Sequence, residues 1–169
     1  MTDYTGKVWV RSMLALAVLG VMLGGAFTVS AATPFAVKIK EAMASMKDES
    51  AKIGPAKAEG GVLYFGTTRI NDNYALVDSL KNKFGGTATF FVKQGEAFMR
   101  VSTNVMKDGK RAVGTPLDPS GPAIAAIRQG KAYYGIVDIL GKMYDTGYEP
   151  ILNPAGEIVG VYYIGHPLE

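Results

Sequence analysis

The sequence predicts an α+β domain: an antiparallel sheet with helices packed on one face, preceded by one transmembrane helix. Three observations carry this. The stretch from Lys131 to Gly165 alternates β-branched and aromatic runs with Gly, Asn and Pro turns, the pattern of a three-stranded meander. Two further β-rich runs, Thr87–Lys93 and Ala97–Thr103, flank Gly95-Glu96, a hairpin signal. Upstream, apolar residues recur at spacings of three and four in two segments, the period of a helix. Antiparallel strands with helices segregated to one face form an α+β layer architecture.

Length and composition bound the function. A chain of 169 residues reads as one domain plus one appendage. The formal net charge is +3, and the basic residues are scattered through the acidic ones, so the basic stripe of a nucleic-acid binder is missing. There is no cysteine, which removes disulfides, thiolate nucleophiles and Cys–metal sites and leaves the redox compartment undetermined.

The first 32 residues read as a membrane anchor and residues 33–169 as the domain. Lys7 and Arg11 precede an uncharged run from Ser12 to Val37. Basic residues before an apolar run keep the N-terminus in the cytoplasm and place the remainder outside. The run is long enough to cross a hydrocarbon core of about 30 Å. Val29-Ser30-Ala31 is a fair cleavage site, so a removed signal peptide is the alternative to an uncleaved anchor. Gly20 and Gly24 form a G-x-x-x-G, a spacing that lets two membrane helices approach closely.

The remaining elements follow in order. Thr33 can cap a helix with Pro34 at its first position; Phe35, Ile39, Ala42, Met43 and Met46 share one face, and Gly54-Pro55 ends it. That Met and Phe stripe reads as core packing. Ala56–Gly61 is a polar connector, Val62–Phe65 a short strand, and Thr67–Asn73 a loop. A second helix spans Tyr74–Phe84, with Leu76, Val77, Leu80 and Phe84 inward, stopped by Gly85-Gly86. After the hairpin come a turn at Lys107–Lys110, a Pro- and Gly-rich loop at Thr115–Pro122, and a short helix at Ala123–Gln129. The meander has strands at Ala132–Ile139, Met143–Pro150 and Glu157–Ile164.

The segments Phe84–Thr89, Phe98–Val105, Arg111–Thr115, Tyr134–Asp138, Tyr148–Ile151, Gly156–Gly160 and Tyr163–Gly165, taken together and in this order, resemble a single extracytoplasmic Cache domain. Such domains are the sensor parts of bacterial chemoreceptors and sensor kinases. The resemblance covers roughly Phe35 to the C-terminus. It implies a PAS-like antiparallel sheet of five or six strands behind a long N-terminal helix, with a small-ligand pocket on one sheet face. The ligands it implies are organic acids or amino acids. His166–Glu169 directly follows the last strand, where such sensors continue into a second membrane helix and an output module. The expectation is therefore a periplasmic binding module held in the inner membrane. The alternative is an accessory subunit of a membrane complex that uses the fold as a scaffold. In either case other membrane-protein subunits are its expected partners.

Catalysis is not expected. His166 is the sole histidine and reads as part of a frayed C-terminal end. Ligands for zinc are too few, and no phosphate-binding glycine motif opens a helix, so no cofactor or metal is implied. Asp138, Asp145 and Glu149 could cluster on neighbouring strands, yet carboxylates there are more often solvated. The binding reading rests on Arg100. Strict alternation puts Phe98, Arg100, Ser102 and Asn104 on one face, and Met99, Val101, Thr103 and Val105 on the other. The planar guanidinium fork suits a carboxylate. Tyr134, Asp138, Tyr144 and Tyr148 lie on later strands and are candidate walls of the same hollow. The competing reading is a surface Arg100 paired with a carboxylate such as Asp138.

Overall fold

A computed structural model describes residues 33–168. The expected membrane helix and its Gly20–Gly24 contact lie outside the described residues. Among the described residues no helix is long and apolar enough to cross a membrane.

Helix α1 (Ala36–Ile53) buries Ile39, Ala42, Met43 and Met46 along the expected stripe. It starts later than Thr33-Pro34 suggests. Phe35 occupies the N-cap position and provides no side-chain cap. Its N–H instead donates to the Asp145 carboxylate at 2.8 Å, a partner 110 residues away that no local motif reveals. Gly54 ends the helix at φ 145°, where an added Cβ would stand 2.7 Å from the Gly66 Cα.

Three short strands follow: β1 (Ala56–Glu59), β2 (Val62–Phe65) and β3 (Thr68–Arg69), paired as a separate antiparallel sheet. The polar connector and the loop of the sequence reading are thus partly strand. Lys57 and Glu59 face solvent and only Ala56 of β1 is buried, so its apolar signal is too thin to read. Helix α2 (Ala75–Phe84) then buries Val77 and Leu80.

The main sheet is built from β4 (Thr87–Gln94) and β5 (Ala97–Thr103), then β8 (Tyr133–Ile139), β9 (Lys142–Leu152) and β10 (Ile158–Pro167). Between the two groups lie a small hairpin, β6 (Met106–Lys107) with β7 (Lys110–Arg111), and helix α3 (Pro122–Arg128). The order across the sheet is β5-β4-β10-β9-β8, antiparallel throughout, so the last strand fills the centre. Five strands form it; Val62–Phe65 belongs to the smaller sheet.

Each face of the sheet has its own core. On one, α1, α2 and β2 pack Ile39, Met43, Met46, Leu63, Phe65, Val77 and Leu80 against Phe90, Tyr162 and Ile164. On the other, Ala123, Ile124 and Ile127 of α3, with Leu117, pack against Phe91, Phe98, Tyr148, Val161 and Tyr163. The expectation of helices on one face therefore holds for α1 and α2 but not for α3.

A β-bulge at Val101 corrects the face assignment in β5. Phe91 pairs with Arg100 and Phe90 pairs with Ser102, leaving Val101 as the extra residue. An inserted residue flips every side chain beyond it. Arg100 and Phe98 keep the α3 face. Ser102 and Asn104 turn to the helix face: Ser102 Oγ donates to the Asn73 carbonyl at 2.6 Å, and Asn104 Nδ2 donates to the Val77 carbonyl at 2.6 Å. Thr103 moves the other way and meets Thr89 hydroxyl to hydroxyl at 2.6 Å. Val105 joins the core of the α3 face.

Close packing at the centre of the sheet makes a prediction. A Cβ on Gly160 would lie 2.3 Å from the Phe91 carbonyl oxygen, a backbone atom in the middle strands. Gly160→Ala should destabilise the domain by about 1–3 kcal/mol, the usual cost of overpacking. Urea denaturation beside the wild type measures it.

Candidate ligand pocket

A cavity of about 520 Å³ opens between the α3 face of the sheet and the segment leading into α3. Arg100 and Tyr148 line it from the sheet. Pro116, Leu117, Pro122 and Ala123 form one wall; Ile136, Val137, Ile139, Leu140 and Met143 form the other. Lys107, Asp118 and Asp138 are the remaining charged residues of its lining. A mostly aliphatic hollow with few convergent polar groups is the usual form of a small-molecule site.

The wall beside Arg100 is set by backbone pairing. Arg100 N–H donates to the Thr115 carbonyl at 2.9 Å, Gly114 N–H donates to the Arg100 carbonyl at 2.8 Å, and Leu117 N–H donates to the Phe98 carbonyl at 2.8 Å. Residues 114–117 thus run along β5 as a short added strand and cover that edge of the sheet. They bring Thr115 beside the guanidinium. Thr115 Oγ1 donates to the Ala112 carbonyl at 2.8 Å, so its lone pairs are free to accept from Arg100 Nη1, and it does so.

Arg100 is 3% exposed, and none of the salt bridges among the described residues includes it. Its Nε is buried without a hydrogen-bond partner there. The Phe91 ring lies 4.9 Å from the guanidinium carbon and supports it from one side. Tyr148 and Tyr163 add no anion: burial pushes both phenols well above their ordinary pKa, so they stay protonated. Burial also pulls the guanidinium pKa downward, the direction expected for a cation short of partners. The competing picture of a surface Arg100 paired with Asp138 is therefore overturned. Asp138 accepts the Gly141 N–H at 2.9 Å and shapes the β8–β9 turn.

Among the expected site residues, Arg100, Tyr148 and Asp138 line the cavity. Phe98 and Tyr144 lie on the same face, buried in its core, without lining the cavity. Ser102, Asn104 and Tyr134 do not belong to it. Tyr134 donates to Glu149 at 2.5 Å, and Glu149 pairs with Lys47 of α1 at 2.6 Å, so Tyr134 serves the opposite face. The side chain that shares its pocket-face pair with Tyr148 is the neighbouring Tyr133, with ring centroids 6.2 Å apart. Asp145 and Glu149 are also on the α1 face, where Asp145 accepts the Phe35 N–H and Glu149 pairs with Lys47. Among the described residues no group of acids and His could hold a metal ion. His166 is not frayed: it lies within β10, 6% exposed and stacked on Phe35 at 4.7 Å.

Sequence reasoning missed Thr115, Leu117 and Ala123. Thr115 and Leu117 fall in a stretch whose Pro and Gly content says only that it is a loop, and Ala123 opens the short helix that follows it. The one usable signal is Ala112–Leu117, where small and apolar residues interrupt the polar run.

The structure is thus a five-stranded antiparallel sheet with a cavity on one face and a long helix on the other. A family model described as the Cache 3/Cache 2 fusion domain matches residues 28–169. The chain belongs to this family, whose Cache domains are ligand-binding sensor modules and typically extracytoplasmic. Solved structures similar to it include the A. Aeolicus nlh2 GAF domain in an inactive state. That likeness is 14% identity over 78% of this chain and 83% of that one, with a TM-score of 0.46. A putative transcriptional regulator from Rhodococcus sp. RHA1 is similar at 12% identity over 71% of this chain and 70% of that one, TM-score 0.41. No curated protein matches the chain.

Asn104 and Arg100 should separate fold from site. Asn104 accepts the Ala88 N–H at 2.7 Å as well as donating to Val77. Asn104→Ala leaves those buried groups unpaired and should cost about 1–3 kcal/mol of stability. Arg100→Met removes a buried cation while filling similar volume, so thermal stability should be unchanged or higher. Chemical denaturation and thermal melts of the two variants give the comparison.

Proposed function

We propose that this protein is a membrane-anchored periplasmic binding module, not an enzyme, and that its ligand is a small organic anion with an apolar body. The observation that carries the reading is the buried guanidinium of Arg100 facing the cavity with no acidic partner among the described residues. A buried cation without a counter-charge is costly, and a ligand carboxylate would supply both the charge and the acceptor that Nε lacks. The aliphatic walls suit the rest of such a molecule. An amino acid would also need a carboxylate for its ammonium. Asp118 and Asp138 line the cavity, but each already accepts turn N–H groups, from Ser120 and from Gly141. The Ser120 backbone and hydroxyl hold the Asp118 carboxyl below its ordinary range. That arrangement favours an acid lacking an ammonium group.

The anchor rests on the uncharged run behind Lys7 and Arg11. Mass spectrometry of the protein recovered from membranes tests it: a retained N-terminal segment is expected, and a mature N-terminus at Ala32 would point to a soluble periplasmic protein. The second reading, an accessory subunit of a membrane complex, draws on Tyr134, Ile136, Leu140 and Met143. These are large apolar side chains exposed along β8 and the β8–β9 turn.

A thermal-shift screen of the full chain with monocarboxylates, dicarboxylates and amino acids distinguishes the readings. A true ligand at about a hundredfold over its Kd should stabilise by about 2.7 kcal/mol. Arg100→Ala should lose about 1.5–3 kcal/mol of binding, the worth of a charged hydrogen bond. Thr115→Val should weaken binding less, and Thr115→Ser should restore it. A broad panel without a hit, or a hit indifferent to Arg100→Ala, would leave the scaffold reading in place.

A further inference from the structure

Exposed apolar side chains gather at the end of the domain where α1 begins. Strand register places them there. Ile139 pairs with Lys142 across the β8–β9 turn, Tyr144 with Pro167, and Gly165 with Thr87. Phe35, at the start of α1, stacks on His166 at 4.7 Å. Strand β5 ends at this end as well, with Thr103 paired to Thr89, and the β6–β7 hairpin follows it directly. The first turn of α1 and two hairpin tips therefore share one end of the sheet.

Both tips are two-residue turns with positive φ at each central residue. In β6–β7 these are Asp108 and Gly109, at φ 50° and 76°, the Asp-Gly pair that such turns prefer. In β8–β9 they are Leu140 and Gly141, at φ 56° and 87°. A leucine in the left-handed region is strained, and Asn or Asp would serve the turn better. Burial does not compensate Leu140, which is 41% exposed. Met143, just past the turn, is 47% exposed, and Val37, on the first turn of α1, is 71% exposed. Leu140 and Met143 reach the cavity wall and still keep these surfaces open to solvent.

Lysines interleave with these side chains. Lys107 and Lys110 flank one tip, Lys142 flanks the other, and Lys38 follows Val37, all exposed. None of the four is in a salt bridge among the described residues. The acids of the two hairpins are Asp108 and Asp138, and Asp138 is engaged by the Gly141 N–H at 2.9 Å. Apolar side chains rimmed by lysines match the interface of an anionic bilayer. The apolar groups enter the acyl boundary, and the lysine stems carry their charges to the phosphates. The uncharged run of the sequence, from Ser12, ends at Val37 on this same helical turn. A second copy fits poorly, because a two-fold contact here would set lysines against lysines.

We propose that this end of the domain is a lipid-docking surface: Val37, Leu140 and Met143 enter the bilayer interface, and Lys38, Lys107, Lys110 and Lys142 meet anionic headgroups. The chemistry of the surface stands by itself, while its standing reach to a bilayer rests on the anchored reading above.

The chain has no cysteine, so one introduced thiol carries one environment-sensitive fluorophore. The full chain is labelled at Met143→Cys, or at Ala155→Cys in the exposed β9–β10 turn at the other end of β9. It is then mixed with phosphatidylcholine vesicles, with or without phosphatidylglycerol, some bearing brominated acyl chains. The label at 143 should shift to the blue and be quenched by brominated lipid, more so with phosphatidylglycerol and less so at high salt. The label at 155 should do neither. Leu140→Asn suits the turn, so it should melt no lower than the wild type, yet it should remove most of the quenching at 143. Flotation of the same samples separates the two readings. A chain that floats with vesicles while its label at 143 stays unquenched overturns the docking surface and leaves the anchor. A chain that floats only with phosphatidylglycerol vesicles, quenched at 143, supports the surface and removes the anchor. A blue shift without quenching, growing with protein density, assigns the patch to a second copy and overturns the lipid. Quenching that Leu140→Asn leaves unchanged overturns it too.

Discussion

The extra residue at Val101 determines what each face of the sheet can do. Before it, β5 turns Phe98 and Arg100 toward α3. Beyond it, Ser102 and Asn104 face the helices. Without the bulge, Asn104 would point toward the α3 face, and α2 would lose the bond from Asn104 to the Val77 carbonyl. One strand therefore does two jobs: its first half supplies a cation to a cavity, and its second half fastens a helix. The polar residues of β5 divide between them, with no buried Asn or Ser left in the cavity to compete for a ligand.

Holding Arg100 there carries an energetic cost that the local structure only partly offsets. Thr115 takes one of its donors, Phe91 provides a ring face, and Nε receives nothing from the described residues. A chain optimised for stability alone would place an aliphatic side chain at this position. Arg100 instead keeps an under-partnered polar group at the edge of the cavity. By contrast, Arg111 shows what a structural arginine looks like in the same domain. It forms a two-pronged pair with Asp78 at 2.8 Å and lies over the Tyr74 ring, with the pairing holding its pKa up rather than down.

Much of the fold is legible from periodicity. The stripes of α1 and α2, the Gly95-Glu96 hairpin and the meander follow from local pattern and turn chemistry, and the structure has them. Three features depend on distant partners and leave no local trace. Asp145 caps a helix 110 residues earlier in the chain. Strand β1 is stabilised by pairing with β2 rather than by its own apolar content. The bulge at Val101 comes from how β4 and β5 align, and nothing in Arg100-Val101-Ser102 announces it. The site suffers most from the third. Alternation puts Phe98 and Arg100 on the face they occupy, as far as the bulge, then assigns Ser102 and Asn104 to a face they do not occupy. Tyr134 fails for a simpler reason: a one-residue error in phase on β8 exchanges it for Tyr133.

Strands β9 and β10 bring the two faces together. Tyr148 lines the cavity, and the next residue, Glu149, is paired with Lys47 of α1. Tyr144 is buried on the pocket face, and the next residue, Asp145, holds the Phe35 amide. Tyr163 sits beneath the pocket side, three residues before His166 on the helix side. Alternation that gives each strand two unlike faces also makes neighbours of groups on the cavity side and groups serving α1. Tyr148 and Glu149 are adjacent on β9, so the cavity side and the α1 side of the strand lie one residue apart. Helix α1 is fastened to that strand at both points, through Lys47–Glu149 and through Phe35–Asp145. The cavity and α1 are thus one strand apart, and among the described residues those two contacts are the polar ones that join α1 and its N-cap to β9.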